Sequence, residues 1–77
     1  MSNMSFTFWL LYQDSTATVV PFYEKVVANT VSDAIASFAS LYSLQTNDVQ
    51  EDHHKNVWRI WFQANSGDYV KYEVHVV

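Results

Sequence analysis

Two runs toward opposite ends of the chain, Phe6-Thr7-Phe8-Trp9-Leu10-Leu11-Tyr12 and Val57-Trp58-Arg59-Ile60-Trp61-Phe62, place apolar side chains on both faces of an extended strand. A strand with one wet face alternates apolar with polar residues, so strands of this kind need cover on both sides. Between them the period lengthens. Val31, Ala34, Ile35, Phe38, Ala39, Leu41 and Tyr42 recur at three- and four-residue spacing, the stripe of one amphipathic helix. Thr30 is suited to cap its N-terminus and Asp33 to favour the positive end, and the pattern ends the helix near Leu44. A single helix covers a single sheet face, so the other face is expected to stand open.

Punctuation supplies the pairing. Polar residues from Gln13 to Thr18 separate the first run from a second extended segment, Thr18 to Ala28, and the two read as a hairpin. Pro21 lacks a ladder donor, which puts that second strand at a sheet edge. At the other end of the chain, Trp58, Ile60 and Phe62 share one face, as do Val70, Tyr72 and Val74. Cross-strand partners lie on the same side of a sheet, which demands an odd loop. Asn65-Ser66-Gly67 meets that demand and puts the chain's one glycine where a left-handed residue is needed. The register then pairs Phe62 with Val70, Ile60 with Tyr72 and Trp58 with Val74, with Arg59 against Glu73 and Trp61 against Lys71 on the opposite face. Gln45 to Asn56, polar with Val49 as its aliphatic anchor, reads as an exposed loop.

The expected architecture is α+β, one domain over residues 1–77: a four-stranded antiparallel sheet, ββαββ in order 2-1-3-4, with the helix on one face. The helix side takes Phe6, Phe8, Leu10, Val20, Phe22, Val26, Trp58, Ile60, Phe62, Val70, Tyr72 and Val74. Glu24 falls in the same phase and has to sit at the sheet margin or beside a bulge. The open face presents Trp9, Leu11, Val19, Tyr23, Val27, Val57, Trp61 and Tyr69 around Lys25, Arg59, Lys71, Glu73 and His75.

Composition narrows the chemistry. A 77-residue chain buries about 60% of its unfolded surface, and thirteen aromatics, three of them Trp, offset that shortfall. The absence of Cys removes disulfides and zinc-thiolate sites. A cytoplasmic location is the expectation, because no apolar run approaches a membrane span and the N-terminus lacks the features of a signal peptide. A net charge of -4 opposes non-specific attraction to phosphate backbones, and the eight acids are too scattered to imitate them. His53 and His54 beside Glu51 and Asp52 form the nearest approach to a metal or acid-base cluster, but neighbours in extended chain point apart. One glycine excludes a glycine-rich phosphate cradle, and no serine sits in a nucleophile elbow. No catalytic, cofactor-binding or metal-ligating residues are assigned, and an enzyme is not expected.

The stretch Val26-Val27-Ala28-Asn29-Thr30-Val31-Ser32-Asp33-Ala34-Ile35, a strand running into a capped helix and flanked by paired strands, resembles small uncharacterised proteins encoded by bacteriophages. The resemblance implies a small protein of the host-cell cytoplasm, of a kind that includes binders and inhibitors of host machinery. From the residues themselves, the open face points to protein contact, since Trp, Tyr and Arg dominate binding hot spots. Trp9, Leu11, Tyr23, Arg59, Trp61, Tyr69 and Lys71 are the candidate partner-binding residues, acting through the sheet face or an edge strand. The partner is a host protein or a second copy of the chain, with no membrane role. The alternative is a single-stranded nucleic-acid binder stacking bases on the same aromatics, with Lys25, Arg59 and Lys71 on phosphates. The plainest reading is that these aromatics cover one another and the stems of the basic residues.

Overall fold

The structure, a computed structural model, describes residues 3–77. Five strands and a helix follow in the order β1 (Met4–Gln13), β2 (Tyr23–Ala28), α1 (Val31–Leu41), β3 (Leu44–Asp52), β4 (Val57–Ala64) and β5 (Tyr69–Val76). They form one antiparallel sheet in the order β2-β1-β5-β4-β3.

The α+β class, the single helix and the antiparallel sheet match expectation, while the strand count and order do not. Leu44–Asp52, expected to end the helix and enter an exposed loop, is a nine-residue edge strand paired with β4. Its side chains from Gln45 to Glu51 are exposed, so no alternation betrays it. Once β3 occupies one side of β4, only β5 can join β4 to β1. The order 2-1-3-4 is therefore replaced by a β1–β2 hairpin docked on a β3–β4–β5 meander.

This order gives α1 its task. The chain leaves β2 at one edge and enters β3 at the other, so α1 with its short connections links the two edges over one face, its first turns beside β3 and β4 and Tyr42 reaching Glu24 of β2. Its 11 residues span about 16 Å. Thr30 caps it as expected, its Oγ1 accepting from the Asp33 N–H at 3.1 Å. Ser43, at φ 55, turns the chain out of the helix after Leu41, three residues earlier than expected. Leu44 is then buried as the first residue of β3.

Under α1, Phe38 is wholly buried at the centre of an aromatic cluster. Its ring stacks on Phe8 at 4.4 Å and 6°, and meets Tyr72 edge-on at 4.7 Å, with Tyr42 at 4.9 Å and Phe62 at 5.5 Å. Phe6, Phe8, Ile60, Phe62, Val70, Tyr72 and Val74 are all buried on this face, while Leu10, Val20, Val26 and Trp58 pack against it half-buried. Phe22 departs from the expected set. It lies at a bend before β2 begins and is 81% exposed, because the alternation of β2 does not extend back through Pro21. Glu24 stays in the covered phase on edge strand β2, where its carboxylate accepts from the Tyr42 hydroxyl at 2.7 Å, the marginal placement its charge requires. That bond holds the Tyr42 phenol above the usual tyrosine range. The buried Tyr72 hydroxyl donates to the Pro21 carbonyl, tying the β1–β2 connection to the core.

The β4–β5 register agrees residue for residue with expectation, from Trp58 against Val74 to Phe62 against Val70. Gly67 takes the left-handed position at φ 93, and the Ala64 N–H donates to the Asp68 carbonyl across the three-residue loop at 2.9 Å.

Two substitutions test the role of α1. Phe38→Ala is expected to cost about 3–5 kcal/mol in urea unfolding, since it empties the centre of the core. Thr30→Ala, which removes only the cap, is expected to cost about 1 kcal/mol. Equal losses at the two positions would contradict a core organised around Phe38.

Candidate functional site

Hydrogen-bonded neighbours across the sheet define rows on the face turned away from α1. The central row runs Tyr23, Trp9, Glu73, Arg59, Gln50 from β2 to β3. Beside it runs Lys25, Thr7, His75, Val57, Asp52. The strands thus deliver the ionic residues of β4 and β5 to the middle and aromatic residues to either side.

The middle is an ionic strip. The Arg59 guanidinium donates to Glu73 at 3.0 Å, and its Nη1 lies 3.6 Å from Asp52. His75 Nε2 lies 2.8 Å from the other Glu73 oxygen. Contact with His75, reinforced by Arg59, holds the Glu73 carboxyl below the usual range. Asp52 is also held low, chiefly by the Lys55 N–H of the β3–β4 turn, with the His54 N–H and Arg59 adding to it.

An aromatic cluster flanks the strip on each side. Trp9 and Tyr23 touch at 4.6 Å between ring centroids, and the Trp9 indole donates to Thr7 Oγ1 at 3.2 Å. On the far side Trp61 lies edge-on to Tyr12 at 5.8 Å and to Tyr69 at 6.3 Å, with Lys71 Nζ 5.2 Å from its ring centre. The Lys71–Trp61 contact and the Arg59–Glu73 pair are those the register implied.

Tyr12 is the residue that sequence reasoning missed. Register slips between Leu10, opposite Tyr72, and Tyr12, opposite Lys71, so Leu11 is an extra residue and Tyr12 changes face. The same bulge anchors the turn that follows. Tyr12 donates to Asp14 Oδ1 at 2.6 Å, while Asp14 Oδ2 accepts the Tyr69 N–H at 2.8 Å. Tyr12 and then Tyr69 lower the Asp14 carboxyl, and Asp14 raises the Tyr12 phenol in return. A bulge has no signal in the alternation, since Leu11 and Tyr12 are both apolar enough for either phase.

Trp9, Tyr23, Arg59, Trp61, Tyr69 and Lys71 thus share one face, in two aromatic groups rather than one continuous patch, while Leu11 is the unpaired residue of the bulge. Trp9 (48%), Leu11 (49%), Tyr12 (48%) and Tyr23 (45%) are all about half exposed. Two expected members differ. Val19 lies in the β1–β2 connection, 88% exposed and outside the sheet, and Val57 is buried within the face. His53 and His54 stand in an exposed turn, with His53 Nδ1 3.6 Å from Glu51, and among the described residues no three His or acidic groups converge as metal ligands.

No family model matches the chain, and no curated protein or solved structure matches it. Among the described residues no helix is long and apolar enough to cross a membrane.

The ionic strip has a pH signature. Because the folded-state pKa of Glu73 is depressed, its contribution to stability is fully present above the unfolded carboxyl value of about 4.3 and is lost as pH falls from there through the lower folded-state value. Glu73→Gln is expected to flatten the fall of the urea midpoint between pH 6 and 3, leaving the slopes due to Asp14 and Asp52. An unchanged profile would remove Glu73 as a folded-state anchor.

Proposed function

We propose that this chain is a non-enzymatic interaction module that docks its open sheet face on another protein, as a phage-encoded protein acting on a host protein or complex in the host cytoplasm. One observation carries the reading: two partly exposed aromatic clusters flank an ionic strip whose charges are already paired, on the face α1 leaves uncovered. Pre-paired charges lower the cost of covering the strip, while Trp and Tyr on either side offer the rigid apolar area that dominates protein hot spots. The phage origin rests on the resemblance of the Val26–Ile35 stretch.

The state of the cations supports a protein partner over a nucleic-acid strand. Of the three cations carried by the strands, Arg59 is engaged by Glu73 and Asp52 and Lys71 lies at Trp61, which leaves Lys25 on edge strand β2 to meet phosphates, with Lys55 apart in the β3–β4 turn. Three phosphate contacts on a single strand would give a log-log salt slope of about -2. Titration of tryptophan fluorescence with an oligonucleotide at low and moderate salt is expected to show no binding. Salt-sensitive quenching abolished by Lys71→Glu would transfer the face to nucleic acid.

Affinity capture from a host lysate tests the protein reading directly. Wild type is expected to retain a partner that Trp61→Ala and Trp9→Ala lose, with Leu41→Ala, on the exposed side of the helix, as the control that keeps it. Sedimentation distinguishes a second copy: a self-interface of about 800 Å² per subunit would give a micromolar dimer that Trp61→Ala dissolves. A monomer whose captured proteins are the same with and without Trp61 would end the open-face reading.

A further inference from the structure

β3 is an edge strand, and its helix-side face, with that of β4, lines a groove that the open-face reading does not use. The groove, about 530 Å³, runs between β3 and the first turns of α1, with Val31, Ile35, Val49 and Trp58 as its apolar walls and Thr46 and Glu51 at its rim. A strand edge carries unpaired backbone donors and acceptors, a template for another extended chain. Here the template adjoins an apolar slot of side-chain size.

Charge selects the occupant. β3 contains Asp48, Glu51 and Asp52 and no basic residue. Asp52 is committed to Arg59 and to the β3–β4 turn, and Glu51 meets only the exposed His53 at 3.6 Å. Asp48 makes no ion pair or side-chain hydrogen bond among the described residues. A second copy paired two-fold about Asp48 or Gln50 is disfavoured, because Asp48 then meets itself or Asp52 and like charges directly opposite destabilise a sheet, and two-fold pairing about Val49, which sets Asp48 against Gln50, gives neither Asp48 nor Glu51 a cation.

We infer that β3 and its groove form a strand-addition site for a basic extended segment of another protein. Asp48, Val49, Gln50 and Glu51 alternate between the open face and the groove face. An antiparallel partner therefore reads basic opposite Glu51, polar opposite Gln50, apolar opposite Val49 and basic opposite Asp48. Its apolar side chain enters the groove beside Val49, and the two cations meet the two available carboxylates. The bulge at Asn47, where register slips between Thr46 and Asp48, marks the end of the pairing surface.

The probe is the capped peptide Thr-Lys-Thr-Val-Lys-Thr, titrated into the isotope-labelled protein and followed by amide and indole NMR shifts. Shifts are expected along Gln45–Asp52, at the Trp58 indole and at Trp61, which lies opposite Asp48, with the Trp9 indole unmoved. Replacing both lysines of the peptide with Glu, or N-methylating alternate amides, is expected to weaken binding at least tenfold. Asp48→Lys, an exposed change whose folding the same spectrum verifies, is expected to weaken it about fivefold, and Trp9→Ala, on β1, to leave it unchanged. No shift at millimolar peptide, shifts centred on Trp9 and Tyr23, or equal binding by the N-methylated peptide would each overturn the assignment. Because Trp9→Ala separates the two surfaces, failure here leaves the open-face reading standing, and the reverse also holds.

Discussion

The contact of Phe38 with Phe8, Phe62 and Tyr72 is the constraint from which the rest of the structure follows. These rings come from α1, β1, β4 and β5, so one helical side chain ties the hairpin at one end of the sheet to the meander at the other. A small domain has little other interior to draw on. By placing its largest buried side chains at the point where the helix crosses three strands, the chain concentrates its apolar burial where the two sub-sheets join. The β1–β5 seam, between segments more than fifty residues apart, closes a large loop and depends on that burial to offset the entropy.

Where sequence and structure agree, a strong local rule was acting on residues with one acceptable placement. The β4–β5 register was legible because Trp58, Ile60 and Phe62 had to face Val70, Tyr72 and Val74, and Gly67 alone suited the left-handed turn position. Thr30 and the stripe from Val31 to Tyr42 made α1 legible for the same reason, although Leu41, in the last turn, stands 63% exposed. Agreement fails where both faces of a segment tolerate water or both tolerate burial. Gln45 to Glu51 form β3 with polar side chains on either face, and backbone pairing with β4 is the whole of their signal. Leu11 and Tyr12 present the opposite ambiguity, being apolar in either phase, so the bulge that moves Tyr12 to the open face left no trace. The error in strand order was inherited from β3, since a sheet without it offers β4 to β1.

The open face follows from the same economy. One helix of 11 residues covers one face of the sheet, and the residues on the other face must be solvated, mutually covered or covered by a partner. Arg59, Glu73, His75 and Asp52 follow the second course, pairing until Val57 beneath them is buried. The aromatic residues do so only in part. Trp9 rests on Tyr23, and Trp61 on Tyr12 and Tyr69, yet Trp9, Tyr23 and Tyr12 stay about half exposed while Trp61 is more covered.

The two edges of the sheet are treated differently, and the contrast bears on how such a protein avoids uncontrolled association. β2 is short, is preceded by Pro21 and a bend at Phe22, and has Glu24 tied down by Tyr42. Those are devices that blunt an edge. β3 is longer, at nine residues, and relies on a bulge and three carboxylates. Carboxylates repel a second acidic copy while leaving the backbone template intact for a cationic chain, so they discriminate between partners where a proline would exclude all of them. With Val49 about half exposed above the groove, the β3 edge joins a deterrent against self-pairing to an apolar foothold for a foreign strand.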